Sequence, residues 1–226
     1  MGCLAQLVRW RFMVGGNMAT KANVALLDFA GLGLAAVMGI IVALANPAFL
    51  AIMLIFLVLS VLVTRYGFEK KRDLGLYEHE RSWENVLANG LIPTICAVAN
   101  PWIGWGAYVG SISAITADKF ASELGVLGGE PISLLNFKKT KAGRNGAITV
   151  FGTLMSLDGA LLIGLAAMFL IPGLDLRKVV AIGLVGFGGS MVDSIVGVLE
   201  EKGIGNKATT NAICAIFGAV CGLAFL

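Results

Sequence analysis

Charged residues are scarce in this sequence, and their scarcity excludes an ordinary soluble domain. Asp, Glu, Lys and Arg make up 14% of the 226 residues, hydrophobic residues make up 58%, and the mean hydropathy is +0.86. A typical soluble domain carries about 25% charged residues. The net charge of +3 is also too small to indicate a nucleic-acid partner. The composition therefore predicts a polytopic integral membrane protein.

The metal-binding and nucleotide-binding motifs of soluble proteins are missing too. The sequence has one histidine, His79, and four cysteines without a CxxC pair, which excludes zinc spacing and a disulfide framework. Cys214 and Cys221 lie on one face of an apolar helix and are expected to be small buried hydrophobes. Neither a GxxxxGK(S/T) loop nor a GxGxxG fingerprint occurs.

Glycine and long apolar runs, by contrast, are abundant. The 30 glycines favour closely packed transmembrane helices, and the apolar runs approach the ~20 residues that span a bilayer. Asn46-Pro47 and Asn100-Pro101 are expected to end helices, because the residue before a proline resists the helical conformation. We predict an all-α integral membrane bundle of about seven transmembrane helices, over residues 24–44, 48–64, 82–99, 102–123, 147–170, 178–199 and 208–226. In this prediction residues 1–23 form a basic N-terminal segment, 24–226 a single transmembrane domain, and 65–81 and 124–146 its two long polar loops.

The distribution of basic residues predicts the orientation of this bundle. With the N-terminus in the cytoplasm, all of the 17 Lys and Arg residues except Arg177 and Lys178 fall on the cytoplasmic side. Such a bias is typical of membrane proteins, whose cytoplasmic loops collect positive charge. We therefore expect a multi-pass protein of the cell membrane with a cytoplasmic N-terminus.

Two acidic residues within the apolar runs are the strongest candidates for a functional site. Asp118 and Asp193 lie towards the cytoplasmic ends of predicted helices four and six, each after a Gly-Ser pair. A charge at the centre of a transmembrane helix costs roughly 2.5–3.5 kcal/mol, and intramembrane acids are usually functional. Carboxylates from two helices suit Mg²⁺, which takes its other ligands from water and phosphate. The alternative is a structural ion pair of these acids with Lys119 or Arg81.

Further polar residues lie on the same side of the predicted bundle. Glu123, about 140° around the helix from Asp118, is a further catalytic candidate. The loop ending at Gly146 is basic and opens a helix, which is typical of phosphate binding but equally of positive-inside bias and lipid contact. The candidates for binding substrate and phosphate are Arg81, Asn85, Asn89, Ser122, Lys138, Lys139, Lys141, Arg144, Ser194 and Asn211. Asp158, in the middle of predicted helix five, is expected to be neutral and hydrogen-bonded to a neighbouring helix.

Four segments of the sequence resemble the transmembrane protein 19 family. They are RSWENVLANG (81–90), SISAITADKFASELG (111–125), KAGRNGAITVFGT (141–153) and GGSMVDSIVG (188–197), within a resemblance that covers residues 60–226. The family includes a plant phytyl phosphate kinase. The resemblance implies a multi-pass helical protein that transfers a phosphoryl group from CTP or another nucleotide to an isoprenoid monophosphate. The family's motif positions here are Arg81, Asn85, Asn89, Asp118, Ser122, Glu123, Gly143, Gly146, Asp193, Ser194 and Asn211, and the sequence departs from the pattern at Lys119 and Asp158.

Residues and resemblance together predict an integral-membrane prenyl phosphate kinase with a cytoplasmic site. Asp118, Asp193 and Glu123 are the expected catalytic residues, and Asp118 and Asp193 the expected ligands of Mg²⁺. The expected partners are a prenyl monophosphate, a nucleotide with CTP favoured, and membrane lipids, without nucleic acid. Two alternatives stay open: a transporter or ion-coupled carrier, whose polar residues would span the bilayer, and a non-catalytic lipid-binding protein.

Overall fold

Long helices make up most of the computed structural model, which describes residues 28–76 and 82–226. The basic N-terminal segment and Arg81 lie outside the described residues. In chain order the elements are α1 (Phe29–Ala45), α2 (Pro47–Arg65), α3 (Phe68–Asp73), α4 (Trp83–Ile103), α5 (Gly106–Gly125), β1 (Ile132–Ser133), β2 (Ala147–Ile148), α6 (Val150–Leu170), α7 (Leu176–Glu201) and α8 (Lys207–Phe225). The prediction of an all-α membrane bundle is confirmed.

Five of these helices, α2, α4, α6, α7 and α8, are long and apolar enough to cross a membrane. Helix α1 is apolar but has only 17 residues. Helix α5 carries Asp118, Lys119 and Glu123 and does not reach the hydropathy of the five. The count of seven spans and the cytoplasmic N-terminus stay predictions.

Two Asn-Pro pairs were predicted to end helices, and the structure confirms the first and contradicts the second. Asn46 is extended and its side chain accepts a hydrogen bond from the Ala48 amide, so that it ends α1 and caps α2 with Pro47 in the first turn. The prediction that Asn100-Pro101 ends a helix is wrong, because α4 continues to Ile103 and stops at Gly104, whose φ is +77°. A proline in the last turn removes one backbone hydrogen bond without breaking the helix.

Both polar loops contain regular structure that the sequence did not indicate. Helix α3 follows Gly67 within the first loop, and its Lys71 ammonium is 1% exposed. Lys71 Nζ donates to the carbonyl oxygens of Val63 (2.7 Å) and Thr64 (3.1 Å), which fixes α3 against the end of α2. In the second loop β1 pairs antiparallel with β2. Six-residue helices and two-residue strands are too short for a periodic pattern to reveal.

Helix α5 is the centre of the bundle. Every residue from Gly106 to Ala117 is buried, and α5 packs against α2, α4, α6, α7 and α8. Its approach to α8 is backbone to backbone: a Cβ on Gly110 would lie 2.2 Å from the Gly218 carbonyl oxygen, and one on Gly106 would lie 2.5 Å from that of Gly222. Glycine is required at these contacts because no side chain fits between the helices.

The opposite side of α5 packs through large side chains instead. The ring of Tyr108 stacks on Phe49 of α2 with centroids 4.2 Å apart, and the Tyr108 hydroxyl donates to the Phe49 carbonyl oxygen at 2.7 Å. Val42, Ile52 and Met53 complete the buried apolar cluster on this side.

Candidate functional site

A polar pocket opens at one end of the bundle. It lies between the C-terminal part of α5, the first turn of α6, the second half of α7, the loop 142–149 and the first residue of α8. The cavity volume is about 140 Å³, room for several waters or a phosphate-sized group. All four helices meet the pocket at the same end of the bundle.

Asp118 of α5 and Asp193 of α7 face each other in this pocket, with Lys207 of α8 between them. Lys207 Nζ lies 2.9 Å from Asp193 Oδ2 and 3.7 Å from Asp118 Oδ2. Both carboxylates are largely buried, with side-chain exposures of 14% for Asp118 and 7% for Asp193. Asp193 Oδ1 is fully buried and has no hydrogen-bond partner among the described residues. One ammonium group therefore lies beside two carboxylates, and the oxygen Asp193 Oδ1 remains without a donor among the described residues.

Lys207 is the residue that the sequence did not single out. It counted only as one more basic residue of a loop, yet the short turn from Lys202 to Asn206 folds the start of α8 back onto the end of α7. Asn206 caps α8 by accepting from the Thr209 amide at 3.0 Å, which fixes the first turn that carries Lys207. The sequence signal that could have identified Lys207 is the short connection 202–206, because it brings charged residues of α7 and α8 close together.

The first turn of α6 forms another wall of the pocket. Thr149 caps it, accepting from the Gly152 amide at 3.0 Å and donating to the Gly125 carbonyl oxygen at 3.2 Å. Gly143 and Gly146 precede it with φ of +81° and +66°. A Cβ on Gly146 would lie 2.8 Å from the Val198 amide nitrogen, so glycine lets this loop pass close over α7. The amides of Gly152 and Thr153, the two residues of α6 that line the pocket, both donate to Thr149. The positive end of the helix dipole still favours an anion at this wall.

Three of the predicted binding residues lie in this pocket. Arg144 lines it, and its Nε donates to Glu201 Oε2 at 2.6 Å. Ser122 and Ser194 also line it, each with its hydroxyl donated to a carbonyl oxygen of its own helix. Glu200 of α7 also lines the pocket. The pocket thus brings together acids, bases and hydroxyl groups from four separate stretches of the chain.

The Glu123 side chain does not line the polar pocket. Its carboxylate accepts from Thr64 Oγ1 at 3.0 Å and from Lys71 Nζ at 2.8 Å, and it contacts Lys119 Nζ closely. The ion-pair lock that was the alternative for Asp118 therefore exists at Glu123, where it joins α5 to α2 and α3. Asp118 and Asp193 pair with Lys207 rather than with Lys119.

The lysines of the basic loop lie outside the pocket. Lys139 forms an exposed ion pair with Glu130, and this lysine holds the pKa of the Glu130 carboxyl below its usual value. Lys138 and Lys141 do not line the cavity. Positive-inside bias is sufficient to explain these three charges.

The remaining predicted residues are divided between other places. Asn85 and Asn89 line a second cavity on the far side of α5. Asn211 is buried one helical turn from Lys207, with its Oδ1 lacking a partner in the described chain. Asp158 is exposed on the outer surface of α6, and no described residue forms the hydrogen bond that was expected for it.

The donor set of the pocket fits the predicted magnesium ion. Within residues 28–76 and 82–226 no group of three or more His, Cys, Asp or Glu side chains is arranged to hold a metal. Mg²⁺, however, is commonly bound through one or two carboxylates, with water and substrate phosphates as the other ligands. Asp118 and Asp193 supply two carboxylates, and the unpartnered Asp193 Oδ1 is an available oxygen ligand.

Comparisons with known proteins establish the family. No solved structure matches the chain. It is 42% identical over 180 residues to an uncharacterized membrane protein of Methanocaldococcus jannaschii, covering 77% of this chain and 75% of that protein. It is 31% identical over 181 residues to Protein PGR of Arabidopsis thaliana, covering 65% of this chain and 62% of that protein. The family described as integral membrane protein DUF92 matches residues 13–220, which include Asp118, Asp193 and Lys207, and the chain belongs to that family.

Proposed function

We propose that this protein is a membrane-embedded phosphotransferase that transfers the terminal phosphoryl group of a nucleoside triphosphate, with CTP favoured, to an isoprenoid monophosphate. The observation that carries the proposal is the pair of facing carboxylates, Asp118 and Asp193, around Lys207 in a pocket that is closed on one side by a helix N-terminus. Membership of an integral membrane family and the resemblance to the transmembrane protein 19 family support it. The positive-inside bias supports a cytoplasmic site.

The described residues divide the work of phosphoryl transfer among them. Lys207 and Arg144 provide positive charge for the phosphates, and the positive end of the α6 dipole adds to it. Asp118 and Asp193 would hold Mg²⁺, which when bound neutralises charge on the nucleotide phosphates. Lys207 would exchange its contacts with the carboxylates for contacts with phosphate oxygens.

The transfer itself needs positioning more than proton transfer. An oxygen of the isoprenoid monophosphate attacks the terminal phosphorus, the bond from that phosphorus to the bridging oxygen breaks, and a nucleoside diphosphate leaves with the bond electrons. The products are an isoprenoid diphosphate and the nucleoside diphosphate. Since the attacking oxygen is already anionic, no strong base is required, and electrostatic stabilisation carries the rate.

An activity assay with matched variants tests the proposal. Full-length protein in nanodiscs is incubated with labelled CTP or ATP and a panel of prenyl monophosphates, with and without Mg²⁺. Asp118→Asn and Asp193→Asn should each lower diphosphate formation by about 100- to 1000-fold, the scale of lost transition-state stabilisation. Asp158→Asn, the same change on the outer surface of α6, is the control and should keep wild-type activity.

Two results would overturn the proposal. One is full activity of both pocket variants in a folded protein. The other is substrate flux into proteoliposomes without any nucleotide, which would support a carrier instead.

A further inference from the structure

A second cavity lies on the other side of the central helix from the polar pocket. It is enclosed by α1, α2, α4 and α5, and its volume is about 110 Å³. Ile112 is the residue of α5 that lines it, and it is separated from Asp118 by about 120° around the helix. Its walls are almost wholly apolar, and Leu57, 38% exposed, connects it with the lipid-facing surface of α2. A lipid chain can therefore enter it from the bilayer.

One hydroxyl group in this cavity, that of Ser60, has no hydrogen-bond partner among the described residues. Ser60 of α2 is 7% exposed, and its Oγ makes no hydrogen bond to any described residue. The hydroxyls of Thr94 and Thr116, by contrast, each donate to the carbonyl oxygen four residues earlier at 2.7 Å. A buried hydroxyl without a partner costs about 1–3 kcal/mol, so a ligand group that pairs with Ser60 gains affinity.

The charges around the cavity define the head group of such a ligand. None of the described residues that line it is charged, which disfavours a phosphate or an ammonium group because a buried charge requires a counter-charge. The polar lining residues besides Ser60 are Asn85 and Asn89, whose side-chain amides can both donate and accept. A neutral hydroxyl, which also donates and accepts, matches all three.

The size of the cavity limits the rest of the ligand. A cavity of about 150 Å³ lined by Leu, Ile and Phe holds one benzene molecule, so 110 Å³ accepts the first few carbons of one chain but not of two. Branched isoprenoid carbons and the flexible side chains of Met38 and Met53 suit each other, since methionine adapts to irregular shapes.

We propose that this second cavity binds the head end of a single-chain isoprenoid alcohol, with the alcohol hydroxyl hydrogen-bonded to Ser60. The site is separate from the phosphate pocket, and its ligand is the unphosphorylated form of the lipid class proposed for that pocket. The choice of an isoprenoid rests on the proposed function, whereas binding of the alcohol itself requires neither nucleotide nor metal.

Photolabelling without nucleotide tests this site independently of any activity. Full-length protein in nanodiscs is irradiated with a photoreactive farnesol analogue, and the labelled peptides are mapped by mass spectrometry. Label should appear on α1, α2 and α4 around Ser60 and should be competed by farnesol, whereas the corresponding photoreactive monophosphate should label these peptides weakly. Ala35→Phe, which fills the cavity, should reduce labelling about tenfold, while Ala36→Phe on the adjacent, exposed position should not.

The hydroxyl contact has its own variant. Ser60→Ala should weaken labelling by the alcohol about three- to tenfold, the scale of one net hydrogen bond, without changing labelling by the matching hydrocarbon. Equal labelling by alcohol and hydrocarbon in the wild type, or labelling that Ser60→Ala leaves intact, would overturn the proposal. Ser60→Ala also decides the question if Ala35→Phe does not fold.

Discussion

The two sides of α5 are built on opposite packing principles. Towards α8 the contacts are glycine against backbone, as at Gly110 and Gly106, where an added Cβ would lie 2.2 Å and 2.5 Å from a carbonyl oxygen. Towards α2 the contacts are between large side chains, such as the Tyr108 ring stacked on Phe49. Backbone contacts cannot adjust, whereas side chains can change rotamer.

This difference matches the contents of the two cavities. The polar pocket needs two carboxylates and an ammonium group held at hydrogen-bonding distance, which rigid backbone contacts provide. The apolar cavity has to accept a flexible chain, and its walls include Met38, Met53 and Leu57. The comparison therefore assigns positioning to one side of α5 and adaptable binding to the other.

The largest effect on stability is expected at Glu123, which joins α5 to α2 and α3. Glu123→Gln should destabilise the protein by about 3–5 kcal/mol, because it leaves the buried Lys71 ammonium without its counter-charge. Thermal unfolding in detergent measures the change. Glu130→Gln, which removes an acid from the exposed pair with Lys139, is the matched control and should leave the melting temperature unchanged. Equal effects of the two variants would show that the Glu123 network does not hold the sides together.

Glycine substitutions test the close side of α5, with the exposed Gly33 of α1 as the control position. Gly110→Ala should destabilise by about 3 kcal/mol through overpacking against the Gly218 carbonyl group. Gly33→Ala should be neutral or stabilise by up to about 1 kcal/mol, the difference in helix propensity between the two residues. Chemical unfolding of both variants under the same conditions measures the contrast. If Gly110→Ala were as stable as Gly33→Ala, the contact between α5 and α8 would not require glycine.

Substitution of Lys207 should have a smaller effect, on turnover in the polar pocket alone. Lys207→Met should lower nucleotide-dependent turnover by about 10- to 100-fold, equivalent to about 1.4–2.7 kcal/mol of lost charge-assisted contact with phosphate. Lys207→Arg should recover part of it. Lys202→Met removes a neighbouring exposed lysine and should leave turnover unchanged. Labelling of the apolar cavity by the farnesol analogue should be the same in all three variants.

Asp158 is expected to show the smallest effect of all. Asp158→Leu removes a carboxyl group that lies on the outer surface of α6, away from both cavities. Activity and alcohol labelling should persist, and membrane expression should be equal or higher because an acid in mid-helix opposes insertion. Lost activity in this variant would show that the Asp158 carboxyl group itself contributes to the reaction.

The end of the bundle at which these polar residues lie could be predicted from the sequence, but the side of α5 that they face could not. Helix boundaries and loop charges place Asp118, Asp193, Asn85 and Asn89 towards the same end of the bundle, as the structure does. Asn85 and Asn89 nevertheless line a different cavity, because hydropathy does not say which neighbour a helix face meets. The pairing of Asp118 with Asp193 was predicted because each lies beside small residues, which mark close helix contacts.

The partners of the charged groups were the least predictable part. Lys71, Lys119 and Lys207 are all basic residues near helix ends, yet two of them bind Glu123 and the third binds the two aspartates. Their side chains are long, and the partner depends on how the neighbouring helices pack. The sequence shows which residues are charged but not how the neighbouring helices pack, so it does not give the ion-pair partners.

The central position of α5 also has a consequence for biogenesis. Helix α5 is enclosed by helices that the ribosome makes before it and by α6, α7 and α8, which are made after it. Until α8 emerges, the glycine face of α5 and the Asp118 carboxylate lack the partners that bury them in the finished protein. Helix α5 is therefore among the last of the described helices to reach its final environment. The nascent chain passes through a stage in which the centre of the fold faces lipid, water or the insertion machinery.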